Sequence, residues 1–145
     1  MTSSVAQGTS MATALVLAGI GALHVAWGLG ASFPFRDRAA LADTVVGSDS
    51  VPGRGASLAV AGLLGLAAGL VADVVPLPAP LRRVGVAGVA TALAGRAAFG
   101  FAGRTDRLVR GSNSPRFAKA DRRVYAPLCA ALAAGAAVSV MVSAT

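Results

Sequence analysis

The sequence predicts an all-α fold, a four-helix transmembrane bundle whose helices run alternately up and down. Four apolar blocks fill most of the 145 residues, and each is close to the ~20 residues that a helix needs to cross ~30 Å of hydrocarbon. The block interiors hold few charges, and the connections are short enough to favour antiparallel neighbours. We predict one membrane domain spanning residues 1–145, with helices at about residues 11–30, 56–75, 81–103 and 125–144.

The first block, residues 11–30, is predicted to be a retained helix rather than a secretory signal. A signal peptide carries basic residues before its apolar core. No Lys or Arg occurs between Met1 and Gly30, and ~20 apolar residues are long for such a core. The loop after this block, residues 31–55, is either irregular or carries a short interfacial helix, and the sequence leaves both open.

The second and third helices carry stripes of small residues. Gly65 and Gly69 have G-x-x-x-G spacing on the second helix, and Gly85 and Gly88 begin a similar stripe on the third. Small residues let membrane helices approach closely. We expect the stripes to pack within the chain, with a homo-oligomer seam as the alternative. Between these helices, three prolines predict a stiff turn, because proline fixes its backbone and lacks an N–H donor.

The orientation follows from the Lys and Arg residues near the helix ends, because short cytoplasmic loops carry the excess. The first and third connections hold ten of them, whereas the side of the second connection holds two, Arg82 and Arg83. We therefore expect a multi-pass protein of the inner (plasma) membrane. Its basic loop 104–124 would lie in the cytoplasm and both termini would lie outside.

The composition limits the possible partners. A net charge of +7 would suit nucleic acid in a soluble protein, but here the basic residues lie between apolar blocks without interleaved aromatics, so we expect no nucleic-acid partner. One His, one Cys and no Glu leave few ligands for a metal site. The glycine pairs lie inside apolar helices, which excludes a dinucleotide fingerprint. We predict no metal and no cofactor, with the lipid bilayer and a lipid-like small ligand as partners.

Five polar or aromatic residues are predicted to meet near the cytoplasmic face. His24 lies ~9 Å and Arg96 ~10 Å from helix ends on the same side, by helical rise. Asp121 and Tyr125 are four residues apart at the start of the fourth helix and would share a face, and Trp27 follows His24 by three residues. Because ionisable groups are costly within a bilayer, we expect a polar cluster that borders a cavity, with Arg96 paired to Asp121.

Each of these residues also has a purely structural interpretation. Arg96 could extend its head to the lipid headgroups, and His24 could make a single hydrogen bond inside the bundle. The aromatic residues, Trp27 and Tyr125 among them, all fall near one predicted interface, as in an aromatic anchor belt.

Three segments, Ala22–Gly30, Gly95–Phe101 and Arg116–Cys129, resemble the small bacterial membrane proteins of the domain of unknown function 3995 family. The resemblance covers essentially the whole chain, and its most specific part is an aromatic, an acid and then Tyr-x-Pro-Leu-Cys. The family usually has an acid shortly after the helix-three arginine, which is missing here. The resemblance implies the bundle but no activity. The resemblance also implies a set of shared family positions, which in this sequence are His24, Trp27, Arg96, Phe117, Asp121, Tyr125, Pro127 and Cys129.

Three functions remain open on the sequence. The first is a structural or ligand-binding bundle, in which the polar network fixes one helix packing. The second is a membrane enzyme acting on a lipid or isoprenoid, with Asp121 or His24 as acid or base and Arg96 holding an anionic head. The third is an oligomeric proton-coupled carrier or channel. Whether the chain is an enzyme is therefore left undecided.

Overall fold

A computed structural model describes residues 2–142, in which there are helices and turns but no strand. The predicted all-α fold is confirmed. One π-helical turn covers Ala42–Val46 and another covers Asp121–Tyr125, directly before Ala126, and a 3₁₀ turn covers Thr105–Arg107. The α-helices are α1 (Thr2–Gly28), α2 (Arg38–Leu41), α3 (Arg54–Val71), α4 (Ala79–Phe101), α5 (Pro115–Ala120) and α6 (Ala126–Val142).

Four helical segments are long and apolar enough to cross a membrane, namely Ser3–Gly28, Arg54–Val71, Ala79–Phe101 and Pro115–Met141. These segments indicate a multi-pass membrane protein. Large apolar side chains such as Leu63 and Val84 lie on the outer surface of the bundle. So much exposed apolar surface would be unusual for a soluble monomer, and lipid would cover it.

Two predicted helix boundaries are wrong. The first helix begins at Thr2 rather than at residue 11. The hydroxyl of Thr9 donates to the Val5 carbonyl four residues earlier, so this polar side chain has a hydrogen-bond partner inside the helix. The fourth begins at Pro115 rather than at residue 125, because the Ser114 side chain accepts the Phe117 N–H as an N-cap and proline suits the first helical position. The predicted loop 104–124 is therefore half helical.

Two further expectations concern the first loop and the end of the last helix. The loop expected at 31–55 carries the short helix α2 and its π turn, which decides between the two possibilities left open by the sequence. The predicted end of the last helix, residue 144, lies outside the described residues.

The helices are arranged as two hairpins that meet along one side. α1 packs against α3, α4 packs against α6, and α1 and α6 form the seam between the pairs. Close approach at this seam depends on Gly135 in α6, since a Cβ there would overlap the Thr13 hydroxyl of α1. The apolar core lies around this seam, with Leu17, Val71 and Val86 fully buried.

α3 and α4 make few contacts with each other, and an apolar groove of about 440 Å³ runs between them, floored in part by Leu17 of α1. A Cβ added to Gly65 or Gly88 would meet nothing within 4 Å, whereas one on Gly85 would come within 3.1 Å of Leu70. The stripes, which were expected to pack within the chain, therefore do so at Gly85 and leave open space beside Gly65 and Gly88. The α4 stripe also lines the groove.

The two ends of the bundle differ in charge. We call the end that holds loops 29–53 and 102–114 the basic end. At the opposite end, Arg82 contacts Asp73 at 2.7 Å and donates to the Leu70 carbonyl at 3.1 Å. The Arg82 side chain is largely buried although Asp73 is exposed, so this pair fastens the turn between α3 and α4 to the end of α3.

Candidate functional site

An ion pair joins α4 to the last helix at the basic end. Arg96 Nη2 lies 2.7 Å from Asp121 Oδ1, and the Thr105 hydroxyl donates to the other carboxylate oxygen. The Asp121 side chain is 3% exposed and that of Arg96 is 28% exposed. The contact expected between Arg96 and Asp121 is thus present, and Arg96 does more than extend toward the headgroups.

A glycine makes this ion pair possible. A Cβ on Gly100 would lie 2.7 Å from Ala126 Cβ, 3.0 Å from Arg96 Nη1 and 3.1 Å from Asp121 Oδ1. Gly100 therefore lets α4 approach the last helix and leaves room for the guanidinium and the carboxylate. Neither Gly100 nor Thr105 was expected from the sequence, although Gly100 lies one turn after Arg96 and could have been found by that spacing.

The His24 and Trp27 rings contact each other at a tilt near the end of α1. Their ring centroids are 4.8 Å apart with an angle of 57° between the planes. His24 Nδ1 lies 2.9 Å from the Ile20 carbonyl oxygen; because a carbonyl only accepts, the proton is assigned to Nδ1, and a neutral ring keeps Nε2 as an acceptor. The Trp27 indole N–H donates to the Phe33 carbonyl at 2.7 Å, which fixes the ring against loop 29–53.

Tyr125 lies apart from this group. Its hydroxyl donates to the Thr44 carbonyl at 3.2 Å, and its ring centroid is 6.2 Å from that of Phe117. It therefore ties the π turn of loop 29–53 to the last helix. The expectation that it shares a cavity wall with His24 is not met, because its side chain is directed at the loop.

A cavity of about 420 Å³ lies at the basic end, between α1, α3, α4 and the two loops. His24, Trp27 and Arg96 all line it, and so does Thr105. Asp121 lies behind Arg96, away from the cavity. The remaining wall is mostly apolar and includes Leu41, Val46, Pro52, Val60, Val109 and Phe117.

Backbone carbonyls hold the two loops of the basic end together beside this cavity. The Ser114 hydroxyl donates to the Asp43 carbonyl at 2.9 Å, and the Gly47 carbonyl accepts from the Asn113 N–H at 3.0 Å. Gly47 has a φ of +78°, and a Cβ there would lie 2.8 Å from the Phe117 ring. The outer wall of the cavity is thus a fixed structure that requires glycine at this position.

Within the described residues, no three His, Cys, Asp or Glu side chains lie close enough to hold a metal ion. The polar groups that line the cavity can instead donate hydrogen bonds from the Arg96 guanidinium and accept or donate at His24. Such a set, in a mostly apolar wall, suits a small molecule with one polar head.

Comparison with known proteins gives a family and no activity. The sequence matches the family described as "Protein of unknown function (DUF3995)" over residues 17–136, a range that contains all five residues of the predicted cluster. No curated protein and no solved structure matches the chain. Because the family match spans most of its length, the chain belongs to the DUF3995 family.

Proposed function

We propose that this chain is a ligand-binding protein of the inner (plasma) membrane that holds the polar head of a lipid-like molecule in the cavity at the basic end. The observation that carries the proposal is the lining of that cavity, in which His24, Trp27 and Arg96 interrupt an otherwise largely apolar wall. Its volume of about 420 Å³ falls within the range of small-molecule sites, ~300–1,000 Å³.

Binding is favoured over catalysis by the state of the carboxylate. Both oxygens of Asp121 are already engaged, one by Arg96 and one by Thr105, and the side chain is almost fully buried. A general acid or base must reach the proton that it transfers. Asp121 is better suited to positioning Arg96 in the cavity wall than to acting on a substrate.

The distribution of charge supports an orientation for this site. Residues 31–55 and 104–124, at the basic end, carry ten Lys and Arg residues against five Asp, whereas the opposite end carries Arg82, Arg83 and one Asp. By the rule that short cytoplasmic loops are rich in Lys and Arg, the cavity would open toward the cytoplasmic leaflet and both termini would lie outside.

Filling the cavity mouth tests the proposal. Ala56 is exposed and lines the cavity, whereas Ala59, on the same helix, is exposed and lines none of the cavities described above. The probe is dihexanoyl phosphatidic acid, titrated into the purified protein in mild detergent and counted by native mass spectrometry. We expect saturable binding that Ala56→Trp weakens at least tenfold and that Ala59→Trp leaves within twofold of the wild type. Equal binding by Ala56→Trp and wild type would refute a site in this cavity.

A further inference from the structure

We infer that the cavity at the basic end and the groove between α3 and α4 are one site, and that it takes a single-chain anionic amphiphile from the bilayer. The head, a phosphate or carboxylate, would lie beside Arg96, and the hydrocarbon chain would lie in the groove. This inference rests on the proposed function and names the class of ligand.

The cavity and the groove adjoin at one side chain. Val60 of α3 lines both the cavity and the groove. From Val60 the groove continues along α3 to Leu70, ten residues or about 15 Å by helical rise. That is about half of the ~30 Å hydrocarbon thickness. Leu70 lies one residue before the end of α3, and its carbonyl accepts from Arg82 at the opposite end of the bundle. A chain in the groove would therefore run from the polar head toward that end.

The groove is lined by apolar side chains and is wide enough for a hydrocarbon chain. Leu63, Leu66 and Ala67 form its α3 side, and Gly88 and Ala92 form its α4 side. The small residues of α4 provide the width, since a Cβ on Gly88 would meet no atom within 4 Å. The groove lies between two membrane-spanning segments that make few contacts with each other, so a ligand can enter sideways from the bilayer without exposing its chain to water.

Positive charge lies where the head of the ligand would bind, at the basic end. A guanidinium has five N–H donors in a fixed plane that matches phosphate and carboxylate. Arg96 directs one nitrogen to Asp121 and the other terminal nitrogen, at 3.5 Å, to Thr105, yet its side chain still lines the cavity. The excess of basic residues in the surrounding loops would also draw anionic headgroups toward the cavity.

Photolabelling can test this inference directly. The probes are lysophosphatidic acid, a fatty acid and lysophosphatidylcholine, each with a diazirine midway along its chain, added to the protein in phosphatidylcholine nanodiscs. We expect one or both anionic probes to label α3 and α4 peptides around Leu66 and Gly88. This labelling should be saturable and at least fivefold stronger than labelling by the zwitterionic probe. The anionic probe that labels more strongly identifies the head as phosphate or carboxylate.

Two matched variants connect the label to the groove. Gly88→Phe should fill the groove and reduce anionic labelling at least fivefold. Gly62→Phe should leave it unchanged, because Gly62 is equally exposed and unobstructed and lies on α3 without lining the groove. Thermal melts in the same nanodiscs check that both variants fold, and Ala92→Phe replaces Gly88→Phe if that variant does not.

Three results would overturn the inference. Equal labelling by lysophosphatidylcholine, or no effect of Gly88→Phe, would mean that the groove holds ordinary surrounding lipid. Crosslinks between two protein copies through the groove would mean that a second copy of the protein occupies it. If any of these results is found and Ala56→Trp still weakens binding of dihexanoyl phosphatidic acid at least tenfold, the proposed function stands and this extension fails. If Ala56→Trp leaves that binding unchanged, both fail.

Discussion

Removing either member of the Arg96–Asp121 pair should destabilise the protein, and by unequal amounts. Breaking a buried ion pair typically costs ~3 to 5 kcal/mol, because the remaining charge is left buried and unpaired. Asp121 is 3% exposed, so Arg96→Ala leaves a carboxylate bonded only through Thr105 and should fall within that range. Arg96 is 28% exposed and can turn toward the cavity, so Asp121→Ala should cost less, about 1 to 3 kcal/mol.

The assay is a double-mutant cycle on the free energy of unfolding, measured by denaturant titration of the protein in mixed micelles. The two residues contact each other, so the loss in the double variant should be smaller than the sum of the two single losses by at least about 1 kcal/mol. Strictly additive losses would refute the reasoning and would leave Arg96 as a side chain that merely reaches the headgroups. A larger loss for Asp121→Ala than for Arg96→Ala would contradict the argument from burial.

Two further predictions concern the helix contact and the orientation. Gly100→Ala should lower the free energy of unfolding by about 1 to 3 kcal/mol, since the added methyl group overlaps Ala126 and crowds the ion pair. The control is Gly95→Ala, which has open space around it and should be neutral or stabilising. Equal effects of the two substitutions on the free energy of unfolding would contradict the argument from crowding. With the native cysteine replaced, an impermeant thiol reagent on intact cells should label Ser4→Cys and not Ser50→Cys, and the reverse pattern would invert the proposed topology.

The sequence carried enough information for the helices and for one side-chain contact. Segment length and hydropathy alone located four helices long and apolar enough to cross a membrane, because a bilayer leaves a chain few other ways to satisfy its backbone. The Arg96–Asp121 contact followed from matching depth on two helices, together with the cost of leaving either charge unpaired in lipid. Neither inference required knowledge of the loops.

The rest of the site depended on the loops and could not be predicted in the same way. Thr105 reaches Asp121 from a 3₁₀ turn, and Tyr125 bonds to a carbonyl 81 positions earlier in the chain. The sequence analysis placed Asp121 and Tyr125 on one face of an α-helix, but residues 121–125 form a π turn, which departs from α-helical spacing. Hydrophobic periodicity gives no signal for these contacts.

The arrangement of the helices as two hairpins has a mechanical consequence. α1 and α6 meet at a close seam, where Thr13 occupies the space beside Gly135, while α3 and α4 on the far side make few contacts. A small hinge rotation of one hairpin relative to the other about that seam would widen the gap between α3 and α4 without disturbing the packing within either hairpin. The direction of least resistance to deformation therefore lies across the α3–α4 gap.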